Sequence, residues 1–289
     1  AYNTAVGMSA GAAVSTGVEN TLIGGLAGDA LTDADNNVAV GDFALGADTL
    51  GSRSTALGSR ALENQNFTTA TNTYNTAVGF HAGNDITTGI RNSIVGGLAG
   101  DALTVGGNNV SMGYASLSAD TQGSGSVAIG AGALNVQNLT TATTTNNVAV
   151  GLDAGKAVTT GVNNTLIGAN AGDALTDADF NVAVGTNSLS TDTLGSSSIA
   201  IGHAALENQN FTTATNTYNI AIGHIAGQSI TTGQNNTMIG GLAGDAITTG
   251  DYNVAFGRSA LSTNTASNTN VAIGGQSLAD FNVTTDTDT

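Results

Sequence analysis

Asn146-Asn147-Val148-Ala149-Val150-Gly151-Leu152-Asp153-Ala154-Gly155 is one copy of a unit that the 289-residue chain repeats sixteen times. An apolar residue followed by glycine closes a short apolar run at Gly7, Gly24, Gly41, Gly58, Gly79, Gly96, Gly113, Gly130, Gly151, Gly168, Gly185, Gly202, Gly223, Gly240, Gly257 and Gly274. The gaps between these clock glycines run 17, 17, 17 and 21, and the series cycles every 72 residues. A unit this short cannot bury its own apolar face and must stack on its neighbours, so the period predicts a solenoid. The expected class is all-β, a parallel β-solenoid or β-roll of sixteen short rungs.

Aligning the units on the clock glycine assigns a demand to each column. The residue before the glycine is always large and apolar, from Val6 and Ile23 to Phe256 and Ile273, and is read as the core column. Each such side chain contributes roughly 1.5–3 kcal/mol when buried. Two residues before the glycine, eleven units carry Ala, four carry Leu22, Ile94, Leu166 or Met238, and one carries Ser111. Neighbours on a strand point to opposite faces, so this second column is expected to face away from the core, towards another protomer. Four residues before the glycine stands Asn in thirteen units and Ser54, Ser126 or Ser198 in the others, an expected Asn ladder. Three residues after it comes Ala or Ser, and next comes Gly in the first two units of each cycle or Leu in the last two, as at Gly11, Gly28, Leu45 and Leu62.

Thr87-Thr88-Gly89, Thr159-Thr160-Gly161 and Thr231-Thr232-Gly233 suit a second short strand ending in a tight turn, giving two strands and two turns per rung. Sixteen rungs at ~4.8 Å would make a rod on the order of 75–80 Å long. The fourth rung of each cycle is four residues longer, with its extra segment over 63–74, and 207–218 repeats it identically. Such excursions are where repeat proteins place loops. Residues 1–289 therefore read as a single elongated segment of four 72-residue superrepeats. The pattern enters at Tyr2 and stops at Thr289 without polar caps, as expected for a piece of a longer fibre.

Composition narrows the function classes. There is no Pro, Trp or Cys, and 21 acidic residues against Arg53, Arg60, Arg91, Lys156 and Arg258 give a formal charge of −16. Such a surface repels phosphate backbones and anionic lipid, so neither nucleic acid nor a membrane is an expected partner. No apolar run approaches the roughly 20 residues of a membrane span.

Ser126-Val127-Ala128-Ile129-Gly130-Ala131-Gly132-Ala133 and Ser198-Ile199-Ala200-Ile201-Gly202-His203-Ala204-Ala205 resemble the S-V-A-I-G-x-x-A head repeat of trimeric autotransporter adhesins. The form at 146–155 is similar to the N-N-x-A-x-G-x-x-A-G arrays of phage tail-fibre and other virion proteins. The resemblance covers essentially the whole chain. It implies a β-roll in an intertwined or side-by-side homotrimer, although adhesin heads run nearer 14–15 residues per turn. That difference shifts the expectation to a phage tail fibre on the virion surface, a shaft that holds a host-binding part away from the particle. The alternatives are an adhesin head on a bacterial cell surface and an ice-binding or self-assembling extracellular filament that uses the Thr columns.

No constellation points to catalysis, and no catalytic, cofactor-binding or metal-binding residue is expected. Asp33 with Asp35, and Asp177 with Asp179, lack the glycine and distal Glu of a calcium loop and read as solvated turn carboxylates. His81, His203 and His224 follow clock glycines at permissive positions and read as exposed turn residues. Gly151 to Ala157 has three residues between its glycines and no Ser/Thr after Lys156, so it is not a phosphate loop. Asn66, Asn138, Asn210 and Asn282 head glycosylation sequons that read as coincidence in a Thr/Asn-rich chain. Phe67, Tyr74, Phe211 and Tyr218 are expected to brace protomers. Asp29, Asp101, Asp173 and Asp245 recur only at four-rung intervals, roughly 19 Å, too far apart for paired-carboxylate hydrolysis of a glycan.

Overall fold

The computed structural model describes residues 2–282, and no helix occurs among them. The chain divides into two compact units, Ala1–Asn146 and Asn147–Thr289. In the first, one three-residue strand per rung forms a parallel sheet: β1 (Thr4–Val6), β2 (Thr21–Ile23), β3 (Val38–Val40), β5 (Thr55–Leu57), β7 (Thr76–Val78), β8 (Ser93–Val95), β9 (Val110–Met112) and β11 (Val127–Ile129). Two-residue strands β4 (Gly51–Ser52) with β6 (Thr71–Asn72), and β10 (Gly123–Ser124) with β12 (Thr143–Thr144), pair separately. The second unit repeats the plan with β13 (Val148–Val150), β14 (Thr165–Ile167), β15 (Val182–Val184), β17 (Ile199–Ile201), β19 (Ile220–Ile222), β20 (Thr237–Ile239), β21 (Val254–Phe256) and β22 (Val271–Ile273). There β16 (Gly195–Ser196) pairs with β18 (Thr215–Asn216). Each unit is thus a parallel β-solenoid of eight rungs. Equivalent positions of the repeat face each other across the register steps, Leu22 opposite Ala39 and Ala39 opposite Ala56.

The two faces of the strand are inverted relative to the sequence expectation. The Ala column points inward and is fully buried at Ala39, Ala56, Ala149 and Ala183. The large apolar column points out, with Ile23 38% exposed, Leu57 45% and Phe256 53%. The reason is space inside a narrow coil. Side chains from the turn opposite, such as Leu31, Leu45 and Leu62, already fill the interior, leaving room for little more than a methyl from the strand.

Volume complementarity shows in the Gly/Leu alternation. Where the strand contributes Leu22, the later position is Gly28, and a Cβ there would stand 2.8 Å from both Leu22 Cδ2 and Leu31 Cδ1. Where the strand contributes only Ala39 or Ala56, Leu45 and Leu62 take that position at φ +54° and +51° and are buried. The clock glycines meet a harder constraint. Gly24 has φ +137°, and a Cβ on it would lie 2.4 Å from the carbonyl oxygen of Gly41. A side chain is excluded there by backbone conformation and by the rung above.

The Thr-Thr-Gly segments are bends, not a second strand. The N–H groups of Thr87, Thr88 and Gly89 all donate to the carbonyl of Thr104, at 2.9, 3.3 and 3.2 Å. A strand sends successive N–H groups to alternate sides, whereas here three converge on one acceptor. The only second strands among the described residues are the two-residue pairs at the third and fourth rungs. Three of the long rung's four extra residues, the exposed Thr68, Thr69 and Ala70, lie between Phe67 and Thr71, and the fourth is taken up before Thr76, so the excursion is shorter than the sequence suggests. Phe67 and Phe211 are buried at 7% and 6% exposure and close the widened coil, so they do not brace protomers; Tyr74 and Tyr218 are exposed.

Candidate functional site

The Asn ladder is present: amide meets amide at some steps, as where Asn253 Nδ2 donates to Asn236 Oδ1 at 3.1 Å and Asn270 Nδ2 to Asn253 Oδ1 at 2.9 Å, and the column also bonds to the backbone of neighbouring rungs. Asn37 Oδ1 accepts the backbone N–H of Ser54 at 2.8 Å, and its Nδ2 donates to the carbonyl of Gly51 at 2.9 Å. Each buried amide thereby satisfies one donor and one acceptor of the backbone at the turn into the strand. At the fourth rung Ser replaces Asn, and a buried polar cage takes over. Gln65 Nε2 donates to Asp48 Oδ2 at 2.5 Å and to Ser54 Oγ at 2.8 Å, while Gln65 Oε1 accepts from Asn75 Nδ2 at 2.8 Å. Asp48 Oδ1 accepts from the N–H groups of Gly51 and Phe67. Gln209 joins Asp192, Ser198 and Asn219 in the same way, and Gln137 joins Asp120 and Ser126. Burial pushes the Asp48 carboxyl up, against the lowering effect of these hydrogen bonds. The sequence signal for the cage was available, since seven residues after the clock glycine apolar residues give way to Asp and then Gln.

Asp101, Asp173 and Asp245, five residues after the clock glycine of the second rung, each hold an Oδ1 that is buried without a partner. Partial burial raises all three carboxyls, and the neighbouring charges of Asp85 and Asp153 add to the rise at Asp101 and Asp173. The intervals between them leave each carboxyl isolated from the others.

The outward strand face is the most extensive feature of the surface. In the second unit it presents Val150, Ile167, Val184, Ile201, Ile222, Ile239, Phe256 and Ile273 as a single column, flanked two residues earlier by Val148, Thr165, Val182, Ile199, Ile220, Thr237, Val254 and Val271. All sixteen are part-exposed or exposed. The first unit presents the equivalent column from Val6 to Ile129. Parallel register keeps these side chains aligned from one strand to the next.

The other residues singled out by sequence fall elsewhere. Asp33 accepts from Thr16 Oγ1 at 2.5 Å and Asp35 from Val18 N at 2.8 Å, and Asp177 and Asp179 make the same bonds to Thr160 and Val162. These carboxylates join neighbouring rungs. Lys156 pairs with Asp153 at 3.3 Å. Asn66 and Asn138 are exposed and accept from Thr49 and Thr121, whereas the sequon at Asn282 runs beyond the described residues. His81 lies against Phe80, and His203 and His224 meet each other, a pairing the sequence did not reveal. Among the described residues no group of three or more His, Cys, Asp or Glu converges, and the surface holds no cavity. No family model, curated protein or solved structure matches the chain.

Proposed function

We propose that the chain is a structural, non-catalytic shaft segment of a homotrimeric phage tail fibre, in which three copies lie side by side and seal their outward strand faces against one another. The supporting observation is the column from Val150 to Ile273, with its counterpart in the first unit. A contiguous apolar stripe of this kind on a charged chain marks an interaction surface. The flat, regular face fits another copy of itself, since closed symmetry repeats one interface around an axis. Strand pairing within each unit is between rungs of the same chain, which favours side-by-side packing over intertwined chains. The Thr hydroxyls that an ice-binding face would need, such as Thr87 and Thr104, donate to carbonyls of the next rung.

Light scattering on the purified chain tests the assembly. The expected mass is three times that of the chain, and a monodisperse monomer at micromolar concentration would overturn the proposal. A membrane-barrel anchor encoded downstream would instead favour an adhesin head, and virion genes beside this one would favour the fibre.

A further inference from the structure

His203 and His224 each stand one residue after a clock glycine, on consecutive rungs of the second unit, and both are exposed. Their rings stack with centroids 5.3 Å apart and planes inclined by 15°. The backbone beneath them is fixed, because β17 and β19 pair with Ile201 opposite Ile222, and Gly223 N donates to Ile201 O at 2.8 Å. Only side-chain torsions are free. Rotation about them can bring one nitrogen of each ring to roughly 3 Å from the other, the separation at which two imidazoles share one ion with Zn–N bonds of ~2.0–2.1 Å. The corresponding positions in the first two cycles hold Ser59 with Phe80 and Ala131 with Leu152, so two ligands meet at this position only in the third.

We propose that His203 and His224 together bind one first-row divalent transition-metal ion, with water completing its coordination. Imidazole nitrogen suits Zn2+, Ni2+ and Cu2+, with Cu2+ held tightest, and it discriminates against Mg2+ and Ca2+. No third His, Cys, Asp or Glu joins the pair among the described residues, so the site is an open two-ligand chelate. The formal charge of −16 concentrates cations at the surface and favours capture. A bound ion would tie together the two ends of a 21-residue rung.

His81 serves as an internal control, because it sits against Phe80 and has no histidine neighbour. In protein labelled at the histidine rings, a Ni2+ titration should broaden the His203 and His224 signals together, before His81. Zn2+ calorimetry should give one ion per chain, and His203→Asn or His224→Asn should weaken it about tenfold or more, since the second ligand acts intramolecularly. Both positions are exposed, and circular dichroism checks that the variants fold. Equal response of all three histidines, or unchanged Zn2+ affinity in His203→Asn, would overturn the proposal.

Discussion

Gly96 and Gly97 are adjacent, yet a methyl group meets different surroundings on each. On Gly96, at φ +136°, it would lie 2.5 Å from the carbonyl oxygen of Gly113, while on Gly97 the nearest atom is Tyr114 Cδ2 at 3.9 Å. Gly96→Ala is expected to cost about 3 kcal/mol or more, combining backbone strain with a clash that only rung separation relieves. Gly97→Ala should stay within about 0.5 kcal/mol of the parent. Denaturant unfolding of the two variants measures the contrast. At the same scale, Asp101, Asp173 and Asp245 have carboxyls raised by burial above the ordinary 3.8. Folding then favours their protonated form, so their ionisation opposes folding at neutral pH. That opposition is absent below 3.8, where folded and unfolded states are both protonated, and develops as pH rises through the folded value. Replacing all three by Asn should therefore stabilise the chain at pH 7, by less than about 1 kcal/mol each because the carboxylates are only partly shielded from water. The gain should vanish at about pH 3; a gain that is the same at both pH values would refute the assignment.

Within a rung, the strand and the turn opposite share one interior, and Leu22 and Gly28 record how that space is divided. Leu22→Ala alone should leave a cavity costing about 2–5 kcal/mol. Gly28→Leu alone should cost about 1–3 kcal/mol by overpacking against Leu22 and Leu31. The double variant reproduces the Ala39 and Leu45 arrangement of the next rung, where Leu already adopts φ +54°. It should recover at least about 1 kcal/mol relative to the sum of the single changes, measured as a coupling in a double-mutant cycle. This alternation was the sequence signal for the true interior, because in the second, third and fourth rungs of each cycle small and large residues trade places between two columns that share a space. Rung number, register and the glycine column were all legible, since each depends on periodicity alone. Which strand face turned inward was not, because both faces are apolar and residue size points the wrong way when the coil is narrow. The Asp48–Gln65 cage shows only when the column seven residues after the clock glycine is followed from rung to rung, because an Asp taken singly in a turn reads as solvated until the fourth rung places Gln65 beside it.

For each whole unit, the inversion of faces relocates the expected contact between protomers from the alanine column to its neighbour, and a matched pair of variants separates the two. Ala183 lies directly opposite Ala200, and Val184 directly opposite Ile201. Lysines at 183 and 200 would enter a filled interior as unpaired charges, at a cost of about 3–5 kcal/mol each by analogy with a broken buried pair. The expected outcome is loss of the β-sheet signal in circular dichroism. Lysines at 184 and 201 impose the same like-charge repulsion across the strands but project outward. They should leave the β signal intact while reducing the mass in light scattering from three chains to one, because a charge at the centre of an apolar interface must be desolvated without a partner. An unchanged trimer in Val184→Lys/Ile201→Lys would show that this face is not where copies meet. A folded Ala183→Lys/Ala200→Lys chain would place the interior elsewhere, so the two results test the core and the interface independently.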